Sequence, residues 1–141
     1  MLPDEGRLIV DAMNALASRP DGWWRDRPAA VERLLAELQP LGARRAGPLL
    51  LVVEGRAGAE LREGRHGDVE VVHATRAGPD AADDRIVALL EQRSASGTAG
   101  VGAGVGADTV VTADRALRDR ARQLGARVLG PSVLLSELTA E

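Results

Sequence analysis

Apolar residues along this chain gather in short continuous runs, separated by segments with helical spacing. "RLIVD" (7–11) reads as a short buried strand and "PLLLVVEG" (48–55) as a second. "DVEVVHA" (68–74), "DTVVTAD" (108–114) and "ARVLG" (126–130) read as three more. "PAAVERLLAELQPLG" (28–42) places Val31, Leu34, Leu35 and Leu38 on one helical face; Pro28 suits its first turn, and Pro40 with Gly42 is expected to stop it. "DAADDRIVALLEQR" (80–93), "DRALRDRARQLG" (114–125, closed by Gly125) and "SVLLSEL" (132–138) read as further helices. Strands apolar on both faces, alternating with helices, predict an α/β fold: a parallel sheet of about five strands, helices on both sides and right-handed crossovers.

The 141 residues suit one domain spanning 1–141, with no internal repeat. "SASGTAGVGAGVGAD" (94–108) is a Gly-rich loop, at about 94–107. Its glycines follow a helix and precede a strand, the reverse of the dinucleotide fingerprint, so no dinucleotide cofactor is expected.

In an open parallel sheet, ligands sit at the carboxyl ends of the strands. Strand one ends at Asp11, strand two at Glu54 and strand four at Asp114, while the helix after strand three opens with Asp80, Asp83 and Asp84. Carboxylates brought to one edge repel unless a proton or a cation cancels them. Mg²⁺ or Mn²⁺ suits such oxygen donors and can activate water against a phosphodiester. Asn14 then serves as a neutral group that orients a carboxylate or a phosphate. Plainer roles compete with this reading. Asp80 and Asp114 can cap helices, and Asp83 can favour a helix start. Asp83 also shares a face with Ile86, Val87 and Leu90, which turns it toward the sheet edge. Asp84 is expected at the rim, and Asp119 in a surface ion pair with neighbouring arginines.

Composition narrows the chemistry. There is no Cys, Phe or Tyr, and all 18 basic residues are Arg. That excludes disulfides, thiolate metal sites, cysteine nucleophiles and any mechanism needing a lysine. Net charge is −3, so polyanion binding would rely on a local arginine surface. "SRPDGWWRDRP" (18–28) offers one: Arg19, Arg25 and Arg27 around Trp23 and Trp24, a combination suited to phosphates and stacked bases. Within it, one Trp is expected to pack beneath the loop and the other to face bases. Arg76, Arg85 and Arg115 flank the acidic segments and could meet backbone phosphates. His66 and His73 show no ligand pattern. "MLPDEGR" lacks the charged-then-apolar build of a signal peptide, and no apolar run approaches the roughly 18 residues of a membrane span. A soluble cytoplasmic protein is the expectation.

"LIVDAMN", "LLLVVEG", "AADDRI" and "VVTADRALRDRARQLGARVLG", in this order, resemble the NYN branch of the PIN-like nucleases, in particular its YacP-like members. The resemblance spans nearly the whole chain. It implies a PIN-like three-layer α/β/α fold and a Mg²⁺- or Mn²⁺-dependent endoribonuclease acting on single-stranded RNA. It places metal-binding acids at Asp11, Asp83 and Asp114, with Asn14 beside them. The family often has Asp where this chain has Glu54, and many members carry an acid where this chain has Ala116. The second departure supports an alternative, a weak or inactive RNA-binding module acting with a ribosome or a protein partner. A receiver domain would need a lysine. A haloacid dehalogenase-like phosphatase would need Asp at Met13, and a Toprim domain an Asp-x-Asp where "DRA" (114–116) stands. The apolar last helix can pack on its own sheet or on a second copy, so monomer and homodimer stay open.

Overall fold

The computed structural model describes residues 2–19, 22–54, 61–74, 81–95 and 108–139. Asp80, Arg76 and most of the Gly-rich loop lie outside them. The strands are β1 (Leu8–Asp11), β2 (Leu49–Val53), β3 (Gly64–His66), β4 (Val69–His73), β5 (Thr109–Val111) and β6 (Arg127–Leu129). The helices are α1 (Ala12–Ala17), α2 (Arg27–Arg44), α3 (Ala81–Ala95), α4 (Arg115–Gln123) and α5 (Pro131–Thr139), with a 3₁₀ turn at Trp23–Arg25.

The sheet order is β3-β4-β2-β1-β5-β6, and every pairing is parallel except β3 with β4. Alternate residues of the strands build two cores. Leu8, Val10, Leu49, Leu51, Val69 and Val71 face α1, α2 and α5. Ile9, Leu50, Val52, Val72 and Val110 face α3 and α4. This is a three-layer α/β/α sandwich. Among the described residues no helix is long and apolar enough to cross a membrane. The last helix uses its apolar side within the chain, where the fully buried Leu134 joins the first core.

The structure extends the sequence reading at two points and corrects it at one. The sheet of about five strands expected from the sequence has six, because a two-residue turn at Gly67 and Asp68 folds β3 back onto β4. Gly67 takes φ +63°, a left-handed backbone natural to glycine. The strand ending at Asp11 runs directly into α1. Helix α2 does not stop at Pro40 and Gly42 but continues to Arg44.

The continuation of α2 has a physical reason. The Gln39 amide donates to the His66 carbonyl (2.7 Å) and its oxygen accepts from the Asp68 N–H (2.8 Å), fastening the β3–β4 hairpin to the helix. Gly42 lies so close that a Cβ there would collide with the Asp68 carbonyl oxygen. The glycine serves a close approach rather than a helix stop.

Candidate active site

The strand order reverses at β1, which has β2 on one side and β5 on the other. A crevice outside the carboxyl ends of β1 and β5 follows from that reversal. Asp11, the last residue of β1, sits at its floor and is only 4% exposed.

Hydrogen bonds tie the floor together. Asp11 Oδ1 accepts from the Asn14 N–H (3.4 Å), which caps α1. Asp11 Oδ2 accepts from the Thr112 hydroxyl (3.3 Å). The same hydroxyl oxygen accepts from the Asp114 N–H (3.1 Å). Asn14 Oδ1 accepts from the Ala113 N–H (2.7 Å), while Asp114 Oδ1 caps α4 by accepting from the Leu117 N–H (3.0 Å). Both Asp11 and Asp114 are thus helix caps and crevice residues at once. Asn14 orients the β5–α4 connection, and through it the backbone that carries Asp114. Thr112, fully buried, links the two acids and was not singled out in the sequence. Its signal was the "TAD" triplet, where a small hydroxyl residue precedes a capping Asp by two positions.

Burial pushes the Asp11 carboxyl up to about 6. The bonds from Asn14 and Thr112 pull it down, and the charge of Asp114 pushes it further up. Desolvation wins because no cationic side chain lies among the causes that act on it.

Asp11, Asn14, Glu54, Asp83 and Asp114 line one pocket of about 300 Å³. Glu54 follows β2, and one of its carboxylate oxygens, Oε1, is buried with no hydrogen-bond partner. Asp83 comes from the first turn of α3, whose Ile86, Val87 and Leu90 are buried against the sheet. Four carboxylates from four segments therefore share one concavity. They do not form the tight cluster expected from the sequence: among the described residues, no three acid or imidazole groups make a ready metal cage. Asp11 and Asp114 each spend one carboxylate oxygen on a helix cap. The donor set still fits a hard divalent cation. Every side chain offered is an oxygen donor, and the orphaned Glu54 Oε1 lacks a positive partner.

Of the six residues expected to touch a substrate, Trp23 and Arg27 line this pocket. Trp24, Arg25, Arg85 and Arg115 do not. Trp23 packs partly on the first core, whereas Trp24 is 53% exposed. Their rings meet edge to face at 6.0 Å. The guanidinium of Arg27 lies over the Trp23 ring at 5.6 Å, and that of Arg25 over Trp24 at 5.9 Å. Arg115 is exposed at the start of α4, and Arg85 is half-buried in α3.

Other candidates serve the fold. Arg19 is engaged by Glu37 at 2.6 Å rather than presented to phosphate. Asp84 faces Arg120 at 3.4 Å and Asp119 faces Arg122 at 3.9 Å. The His66 ring bonds with the Arg62 carbonyl, and the His73 ring with that of Leu61, both outside the pocket.

No protein-family profile matches the chain, and no curated protein matches it in sequence. Solved structures do match. Rae1 (YacP) from Bacillus subtilis superposes with a TM-score of 0.72 at 19% identity, covering 94% of this chain and 73% of that one. Its W164L mutant gives 0.73 at 17% identity, covering 96% and 76%. The likeness establishes the YacP-like, PIN-like fold and agrees with the NYN resemblance of the motifs.

Proposed function

We propose that this chain is a nuclease that uses a divalent cation, Mg²⁺ or Mn²⁺, to hydrolyse phosphodiester bonds in single-stranded RNA. The observation that carries this reading is the shared pocket. Asp11, Glu54, Asp83 and Asp114 line it, Asp11 is buried without a counter-charge, and Glu54 keeps an orphaned oxygen. The likeness to the YacP structures supports a nuclease-like activity through the fold.

Asp11, Asp83 and Asp114 would hold the cation, with Glu54 within the same pocket. A bound divalent cation supplies Lewis acidity toward the phosphate and a water of lowered pKa. The protein contributes the arrangement. The Thr112 hydroxyl and the Asn14 amide keep Asp11 and Asp114 in fixed orientation, so little reorganisation accompanies binding. Trp24, exposed beside the pocket, offers a face for an RNA base. The replacement of an acid by Ala116, exposed and outside the pocket, keeps a second reading in view, an RNA-binding module with little activity.

The test is cleavage of an end-labelled single-stranded RNA in Mg²⁺ or Mn²⁺, with and without chelator, beside identically purified Asp11→Asn. Metal-dependent cleavage lost in Asp11→Asn is the expected result. RNA held equally well with chelator, and never cut, would favour the binding module.

A further inference from the structure

Among the described residues that line the acidic pocket, one is basic, Arg27. It shares the concavity with four carboxylates, yet among the described residues it makes no ion pair and no hydrogen bond. Several other arginines of the chain are held by acids, Arg7 by Asp108, Arg19 by Glu37 and Arg120 by Asp84, while Arg25, which also lies over an indole, does not line the pocket. What Arg27 does contact is the indole of Trp23, itself partly packed on the core. A guanidinium lying over a ring satisfies its face and leaves its in-plane N–H donors available. Those donors match the oxygens of a phosphate in a bidentate fork.

Position favours the same use. Arg27 is the first residue of α2, where the helix presents its positive end. Asp26 spends its carboxylate on capping, by accepting from the Ala29 N–H (3.2 Å). An anion entering beside the four acids would be repelled by them and, among the described lining residues, attracted by the charge of Arg27 alone.

We propose that Arg27, presented on the ring of Trp23, is the side chain that grips a backbone phosphate of single-stranded RNA in this pocket. Trp23 acts as its positioning residue. The substrate class rests on the proposed function; the grip itself does not require that cleavage occur.

The experiment measures binding of an end-labelled single-stranded RNA by fluorescence anisotropy. Ca²⁺ replaces Mg²⁺, and salt is varied. Arg27→Ala should weaken binding about tenfold or more. The slope of log affinity against log salt should become shallower by about 0.7, the signature of one lost phosphate contact on a single strand. Arg27→Lys should recover only part of the affinity, because it restores charge without the planar fork. Trp23→Ala should weaken binding to a similar degree, and the double variant should add little, as expected for two residues acting as one unit. Unchanged affinity in Arg27→Ala, or weaker binding with an unchanged salt slope, overturns the proposal. Arg27-dependent binding without any cleavage keeps the grip and removes the nuclease. Cleavage with Arg27-independent binding does the opposite.

Discussion

Asp11 carries a conflict that can be measured. Burial pushes its carboxyl from 3.8 to about 6, so between these pH values the folded protein holds a proton there that the unfolded chain has released. Stability contributed by the protonated form is present at low pH and is lost as pH rises from 3.8 to about 6. A shift of that size corresponds to about 3 kcal/mol. Asp11→Asn keeps a side-chain oxygen for the Asn14 N–H and removes the charge. In metal-free buffer the variant should therefore melt higher than the wild type at neutral pH, by up to that amount in free energy. The advantage should shrink to nothing as the buffer falls below 3.8. Melting curves across this range check it; a variant less stable at neutral pH would make Asp11 a purely structural cap. Mg²⁺ should raise the melting point of the wild type and leave Asp11→Asn largely unmoved.

At the scale of elements, α2 shows how a local rule yields to packing. Gly42 sits inside the helix, where Ala would ordinarily be better by about 1 kcal/mol. Here the added methyl would strike the Asp68 backbone and pry the β3–β4 hairpin from the helix. Gly42→Ala should accordingly lower stability, by about 1 to 3 kcal/mol, as overpacking does. Chemical denaturation reads the sign, and a stabilised variant would mean that the hairpin moves freely. The same element marks the limit of sequence reading. Short apolar runs announced β1, β2, β4, β5 and β6, most clearly β1, β2 and β5, which are buried along their whole length. The hairpin and the end of α2 depend on Gln39 meeting residues 27 and 29 positions later, which no local pattern encodes. Helix α1 was legible in principle: Ala12, Ala15 and Leu16 repeat at i, i+3 and i+4 after a capping Asp. For the site, the edge rule pointed to four acids that line one pocket, but not to how far apart they stand. The Thr112 link stayed hidden because a Thr at a strand end also serves as ordinary filling.

Across the whole molecule the two ends of the sheet do different work. The carboxyl end is open and acidic. The amino end is locked by arginines. Arg7 spans Asp108 at 2.6 Å and the Leu89 carbonyl at 3.1 Å. Arg45, buried, donates to the carbonyls of Pro3, Glu5, Gly6, Gly47 and Pro48. Burial lowers the pKa of this guanidinium, and Asp4 acts against that. Arg45→Met would strand those carbonyls and should destabilise by about 3 kcal/mol or more. Calorimetry should find cation binding at the far end intact where the variant is folded; loss of both together would mean that the two ends are coupled.

The placement of the aromatic residues has an optical consequence. With two Trp and no Tyr or Phe, all intrinsic emission and near-ultraviolet dichroism arise beside the pocket. Such signals report the state of this mouth and of the edge of the first core on which Trp23 packs. A ligand entering can be followed without a label. Heating should give an emission change that need not coincide with the loss of helix seen in the far ultraviolet, so the chain carries a built-in gauge of its own site.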